Sequence, residues 1–172
     1  MYLYIGLGAL LVGYIVYTYN RFVTLHNQAH NAWSQIDVQL KRRGDLIPAL
    51  TKAAKSYMEH ERELFEALAE ERSNLRSAKT PQESAAAEEA LGDKVTQLLA
   101  VAEDYPDLKA NENFQDVQRE ITTTENKIAY ARQHYNDVVT AHNTLLESFP
   151  SNIVGAITKY NKLELFSARR AE

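Results

Sequence analysis

Cysteine is absent from this sequence, which excludes disulfide bonds, thiolate zinc sites and cysteine nucleophiles. Glycine and proline are scarce, at 6 and 4 residues, while 45% of the chain is hydrophobic and 24% is charged. A chain this apolar and this poor in helix breakers is expected to fold. Its 172 residues suit one domain of about 100 to 150 residues plus an anchor. The net charge is -4 and basic residues are mixed with acidic ones, so nucleic acid is not expected as a partner.

Residues 3–19 contain no charged side chain. A helix of that length spans about 26 Å, close to the hydrocarbon thickness of a bilayer. Tyrosines flank the stretch on both sides, where their polar tips suit the headgroup region, and Arg21 follows it. We therefore predict a transmembrane anchor over residues 1–20. The residues of this membrane anchor would be Leu3, Tyr4, Ile5, Leu7, Leu10, Leu11, Ile15, Tyr17 and Tyr19.

Two other interpretations of this stretch are disfavoured. A cleaved signal peptide would have a basic region before the apolar run and a small-residue cleavage site after it, and neither is present. A buried core helix is disfavoured by Gly6, Gly8 and Gly13, because glycine weakens a helix in water. Ala9 and Gly13 form a small-xxx-small pair, which would allow two such helices to pack closely in lipid.

The basic residues near the anchor lie on its C-terminal side. Arg21 follows the apolar run directly, and Lys41, Arg42 and Arg43 come later, whereas no Lys or Arg precedes the run. We expect a single-pass protein of the cell inner (cytoplasmic) membrane, and the positive-inside rule favours an N-terminus outside with the remaining chain in the cytoplasm.

After the anchor, apolar residues recur at helical spacing, and no strand-like alternation is present. The longest row predicts one helix over residues 111–149, ended by Pro150. Thr80, Pro81 and Glu83 form a capping box that predicts the start of the preceding helix. The long row consists of Phe114, Val117, Ile121, Thr124, Ile128, Ala131, Tyr135, Val138, His142, Leu145 and Phe149.

An earlier helix is predicted over residues 45–78, where Leu50, Tyr57 and Leu64 recur at heptad spacing. Gly44 and Pro48 leave two possibilities: a new helix begins near position 45, or a continuous helix kinks there. The predicted fold is all-α, with one N-terminal transmembrane helix followed by an antiparallel four-helix bundle of long, coiled-coil-like helices over residues 21–150. Residues 151–172 form a C-terminal tail with a short amphipathic helix, which would pack on the bundle or lie on the membrane.

Two groups of residues carry a resemblance to a known family. The first comprises residues 33–43 (WSQIDVQLKRR), residues 45–48 (DLIP), Tyr57 and residues 60–61 (HE). The second comprises residues 125–132 (ENKIAYAR), residues 135–136 (YN), Asn143 and residues 149–152 (FPSN). Together they strongly resemble the LemA family over nearly the whole chain. Two positions depart from the pattern: Ala49, where relatives usually carry Asn, and His142, where Tyr is usual.

This resemblance implies a bacterial protein with a helical bundle behind one N-terminal transmembrane helix and with no established enzymatic activity. Relatives in magnetotactic bacteria are implicated in building magnetosome membranes. The resemblance therefore suggests membrane organisation or scaffolding as the role, an argument by analogy.

Candidate chemistry is sparse. His26 and His30 lie four residues apart, a spacing that suits two metal ligands on one helix face, but no third ligand is near in sequence, so no metal site is assigned. No group resembles a tuned acid–base pair, so no catalytic residue and no cofactor are predicted.

A row of polar residues flanks the apolar row of the long helix. If the first and long helices pack together, this row could form a charge network that fixes the helix register or faces a neighbouring subunit, and we favour register. The basic run at residues 41–43 is expected on a solvated face or paired with Asp37 and Asp45. The predicted network comprises Asp37, Arg42, Asp45, Glu125, Arg132 and Asn136.

These features favour a non-enzymatic scaffold, anchored in the membrane, that self-associates and organises membrane or partner proteins. Its partners would be membrane lipid, further copies of the chain and another membrane protein. The alternative is an adaptor that regulates a membrane enzyme such as a protease. A scaffold would contact mainly its own copies, whereas an adaptor would contact one dominant foreign protein.

Overall fold

The computed structural model describes residues 1–167, and 84% of the residues are helical with no strand among those described. The predicted all-α fold is therefore confirmed. Residues 168–172, the end of the predicted tail, lie outside the described part. The helices are α1 (Tyr2–Lys55), α2 (Arg62–Ser77), α3 (Pro81–Ala102), α4 (Pro106–Lys109), α5 (Glu112–Glu147) and α6 (Ser151–Thr158).

The chain divides into two compact units, and α1 and α5 contribute residues to both. The first unit combines Met1–Trp33 with Gln133–Leu165, and the second combines Ser34–Arg132 with residues 166 and 167. Each unit buries its own apolar side chains, as the helical spacing requires. In the first unit these include Phe22, Leu25, Ala29, Val139 and Val154, and in the second Ile36, Leu50, Leu68, Leu98 and Ile121.

The long apolar row forms the buried face of α5. Its side chains are at most 8% exposed at Phe114, Ile121 and every later row position up to His142. The prediction fails at Phe149, which is 80% exposed. The helix ends at Glu147, so the residues that follow leave its register and no longer share its buried face.

The predicted capping box starts α3. Thr80 Oγ1 accepts a hydrogen bond from the Glu83 N–H at 3.1 Å, and Glu83 Oε2 accepts one from the Thr80 N–H at 3.3 Å. A further bond at 2.8 Å comes from the Lys79 N–H. These backbone donors favour the carboxylate and lower the pKa of Glu83 below its ordinary value. Pro81 occupies the first helical position, where its missing N–H costs nothing.

Helix α1 continues through Gly44 and Pro48, and no new helix begins at Asp45. Of the two possibilities left by the sequence, the structure therefore has the continuous helix. Pro48 has no N–H to donate to the carbonyl four residues earlier, which belongs to the buried Gly44. Arg72 of α2 fills this gap, since its Nε donates to the Gly44 oxygen at 2.6 Å. The carbonyl released by the proline is thus satisfied by a neighbouring helix.

The break between helices lies later, at residues 56–61, and the prediction of one helix over residues 45–78 is wrong there. The Met58 side chain is fully buried at this turn, and its N–H bonds to the Ala54 oxygen at 3.1 Å. Neither glycine nor proline occurs in the turn. The heptad spacing therefore continues across this turn, and the sequence contains no helix-breaking residue that would have indicated it.

We expect Arg72→Met to leave the Gly44 carbonyl without its donor and to lower the free energy of unfolding by about 1–3 kcal/mol. Adding Pro48→Ala should recover most of that loss, because the alanine N–H can bond to Gly44 within the helix. Denaturant unfolding of the full-length protein in detergent, followed by circular dichroism, measures both. Arg76→Met, at an exposed position of α2, is the matched control. Equal losses in the single and double variants would contradict this assignment.

Candidate membrane anchor and buried charge cluster

The first part of α1 has no protein packed around it. Every residue in the range 1–17 is exposed, including Leu3 at 82% and Leu10 at 74%, whereas Thr18 is 2% exposed. We call residues 1–17 the exposed segment. The helix is long and apolar enough to cross a membrane. The described part of this chain does not cover the segment, and an exposed apolar surface of this size favours contact with a membrane or a partner.

The predicted anchor residues up to Tyr17 all lie in the exposed segment. Tyr19 is 46% exposed and follows the first buried position. A Cβ atom added at Gly6, Gly8 or Gly13 would meet nothing within 4 Å. The face that carries Ala9 and Gly13 is therefore open for packing against another helix.

Four rings cluster in the first unit, a short distance beyond the exposed segment. Phe22 and Tyr160 stack with centroids 5.2 Å apart, and His142 meets both rings at 5.8 Å. The His26 ring lies 6.1 Å from that of His142. Within residues 1–167 no three His, Asp or Glu side chains form a group that could hold a metal ion.

His142 is fully buried, and its Nε2 has no hydrogen-bond partner among the described residues. Burial lowers the pKa of His142 below its ordinary value of 6.5, and the nearby His26 lowers it further. A hydrogen bond to Asn143 opposes this shift. The neutral imidazole is therefore the form that the fold favours.

The second unit buries a charge pair. Arg43 of α1 is 2% exposed, and its Nη1 donates to Oε1 of Glu88 on α3, whose side chain is 14% exposed. Together with Glu125 and Arg132 of α5, these two residues line a cavity of about 310 Å³. We call these four residues the buried charge cluster after its buried pair, Arg43 and Glu88, because the side chains of Glu125 and Arg132 are exposed.

Two opposing effects act on the Glu88 carboxyl. Burial raises its pKa above the ordinary value of 4.5 and is the larger effect, whereas the positive charges of Arg43 and Arg132 lower it. Gly92 makes room for the guanidinium, since a Cβ there would lie 3.3 Å from Arg43 Nη2. Arg43 Nε has no hydrogen-bond partner among the described residues. The pair is thus tightly enclosed but incompletely satisfied.

The structure brings only part of the predicted network together. Glu125 and Arg132 join the buried charge cluster. Arg42 instead donates from Nη2 to both Glu120 carboxylate oxygens at 3.0 and 2.9 Å on the surface. Asp37 accepts from Lys41 at 2.6 Å, Asp45 lies 3.9 Å from Arg72 Nη2, and Asn136 belongs to the first unit.

Arg43 and Glu88, the buried centre of the cluster, were not predicted from the sequence. Arg43 was expected on a solvated face or paired with Asp37 or Asp45. A signal was nevertheless present. Arg43 continues the four-three spacing of the buried row in α1, and Glu88 continues that of α3. The α1 row is Ile36, Leu40, Arg43, Ile47, Leu50, and the α3 row is Ser84, Glu88, Leu91, Val95, Leu98.

The second unit also carries an open apolar groove between α1 and α5. Its volume is about 700 Å³, and its lining includes Val38, Tyr130 and Ala131. Val38 is 59% exposed and Tyr130 is 79% exposed. Two large apolar side chains side by side on a polar surface mark a site that could accept a partner.

These features define a helical-bundle protein with one candidate membrane helix and a buried charge cluster. The chain belongs to the LemA family, whose model matches residues 32–172, and the resemblance seen in the motifs is confirmed. Family membership and the candidate membrane helix together indicate a membrane-associated protein.

Curated relatives match most of the chain. Magnetosome protein MamQ of Magnetospirillum gryphiswaldense is 21% identical over 89% of this chain, and MamQ 2 of Paramagnetospirillum magneticum is 22% identical over the same share. The chain spans 66% of the length of each of these proteins. Protein LemA of Metamycoplasma hominis is 25% identical over 95% of this chain and 77% of its own length.

We expect Glu88→Met to lower the free energy of unfolding by about 3–5 kcal/mol, because Arg43 would stay charged and buried without a partner. Arg43→Met should cost less, since the Glu88 carboxyl can take up a proton and become neutral. Combining both substitutions should recover most of the loss in Glu88→Met. Denaturant unfolding in detergent measures all three.

The surface pair Arg42 and Glu120 is the control for this series. Its side chains are 47% and 46% exposed, so Arg42→Met or Glu120→Met should cost less than about 1 kcal/mol. Similar costs for the surface and buried pairs would refute the buried pair's structural role. A double variant as unstable as Glu88→Met alone would do the same.

The stability of the folded protein should depend on pH through His142. Because the folded state lowers the pKa of His142 from 6.5, the unfolded chain binds a proton there more readily than the folded one. The stability contributed by the neutral ring is fully present above pH 6.5 and is lost as pH falls through the lowered folded pKa. His142→Tyr should remove this acid-side loss, as seen in unfolding curves between about pH 8 and pH 5. His134→Tyr, at an exposed position of α5, should leave it unchanged, and an unchanged loss in His142→Tyr would refute the prediction.

Proposed function

We propose that this chain is a non-enzymatic scaffold, held in the inner (cytoplasmic) membrane by the exposed segment, that self-associates and organises membrane or partner proteins. The observation that carries the proposal is the exposed segment itself. Residues 1–17 are exposed throughout and residues 3–17 carry no charge, whereas α1 is buried at regular intervals from Thr18 onward. The N-terminus lies outside and the helical units lie in the cytoplasm.

The buried charge cluster supports a structural role. Arg43 and Glu88 pair with each other at positions that otherwise carry apolar residues, so they link α1 to α3 in one register. A buried pair that fixes register is a recognised use of such charges. A scaffold needs a rigid unit of this kind.

Self-association has two candidate surfaces, and both are exposed. One is the Ala9 and Gly13 face of the exposed segment, whose small side chains permit close helix packing in lipid. The other is the groove that carries Val38 and Tyr130. The relatives named magnetosome proteins agree with a role at a membrane-bounded structure.

The proposal is tested first by fractionation and then by mass. The full-length chain should sediment with membranes after lysis without detergent. The detergent-extracted protein should have the mass of a dimer or larger assembly by sedimentation equilibrium.

Gly13→Ile should reduce this mass if the anchor face mediates assembly, and Tyr130→Asp should reduce it if the groove mediates assembly. Gly8→Ile, on another face of the helix, is the control for the first variant.

Two results would overturn the proposal. A chain that stays in the soluble fraction would remove the anchor, and a strict monomer at high concentration would remove self-association. Crosslinking in native membranes followed by mass spectrometry addresses the alternative function. Links mainly between copies of this chain support the scaffold, whereas one dominant foreign protein would favour an adaptor of a membrane enzyme.

A further inference from the structure

Three large apolar side chains are exposed together near the C-terminal end of the first unit. Ile153 and Ile157 are 52% and 75% exposed and lie one turn apart on α6, which contains no charged residue. Phe149, just before α6, is 80% exposed. We call Phe149, Ile153 and Ile157 the α6 patch. Apolar side chains grouped in this way mark an interaction surface.

The opposite face of α6 packs against the rest of the first unit. Val154 and Gly155 are buried. A Cβ added at Gly155 would lie 2.7 Å from Leu146 Cδ2 and 3.1 Å from Phe22 Cζ. The Leu146 side chain would have to move to admit any larger residue at position 155, so α6 lies close against α1 and α5. The α6 patch therefore has a defined place in the first unit.

That place is next to the exposed segment. In the first unit α1 and α5 run antiparallel, since Trp33 meets Tyr135 and Phe22 meets His142, each with ring centroids 5.8 Å apart. From His142, α5 continues for five residues, or about 7.5 Å, to its end at Glu147, two residues before Phe149. The same distance back along α1 from Phe22 reaches the exposed segment.

We propose that the α6 patch inserts into the headgroup region of the same bilayer that holds the exposed segment. This inference rests on the proposed membrane anchoring. Phe22, which α6 contacts, lies about 7.5 Å along the helix from residue 17. Amphipathic helices bury their apolar face about 5–10 Å into this boundary of the bilayer. Lys159, exposed at the end of α6, is placed to meet anionic headgroups.

Lipid fits the α6 patch better than a second copy of the chain does. Three side chains offer a few hundred Å² of apolar area, well below the roughly 800 Å² per partner that a stable protein interface buries. Contact with a membrane does not require so large a buried area, because the exposed segment already holds the chain at the bilayer. The α6 patch then adds a second contact with the lipid.

The absence of cysteine makes single-cysteine labelling the direct test. Full-length Ile153→Cys and Ile157→Cys variants carry a nitroxide label and are reconstituted in vesicles of phosphatidylcholine and phosphatidylglycerol. The accessibility of each label to oxygen, which concentrates in lipid, is compared with that to a water-soluble nickel complex. Leu11→Cys serves as the lipid reference and His134→Cys, exposed on α5 of the same unit, as the aqueous reference. Circular dichroism confirms that each labelled variant is helical.

We expect the oxygen-to-nickel accessibility ratio at positions 153 and 157 to exceed that at 134 several-fold and to fall below that at 11. Ratios equal to the aqueous reference, with position 11 in lipid, would overturn the inference and leave the anchor intact. Low access to both reagents with spin–spin broadening would show that a second copy covers the α6 patch, which also overturns it. An aqueous ratio at position 11 would remove the anchor and this inference with it.

Discussion

The bundle depends on one buried contact, the ion pair of Arg43 and Glu88. Both residues occupy positions where the helical spacing asks for apolar side chains, and Gly92 leaves the space that the guanidinium needs. Because a buried charge is tolerated only beside its partner, α1 and α3 cannot slide by a turn without separating the two groups. Apolar rows alone would permit such a shift. The ion pair therefore selects one alignment of α1 with α3 among those that the apolar rows allow. This selection requires that both charges lose their hydration.

Much of the fold was predictable because its signals are local. The capping box at Thr80 and Glu83, the proline that precedes α6 and the apolar row of α5 each act over a few residues, and each lies where the sequence placed it. The uncharged N-terminal stretch is likewise a local property. The family motifs agreed with these signals over most of the chain.

The rest depended on contacts between residues far apart in sequence. Gly44 and Pro48 left both a new helix and a continuous helix open. The Arg72 guanidinium satisfies the carbonyl that the proline releases, so α1 continues. Arg43 looked like part of a solvated basic run, although its place in the α1 row pointed inward. The break between α1 and α2 instead lies at the turn that contains Met58. The Met58 side chain is buried there by contacts with the core, which the local sequence does not indicate. In each case the deciding partner was on another helix or in the core.

Gly155 shows how the two faces of one short helix can differ in the substitutions that they tolerate. The space beside its α-carbon is occupied by Leu146 and Phe22, so even an alanine there would require the Leu146 side chain to move. Substitutions on the outer face of α6 meet no such neighbour. The composition of the outer face can therefore vary during evolution, while the close contact at Gly155 stays constant.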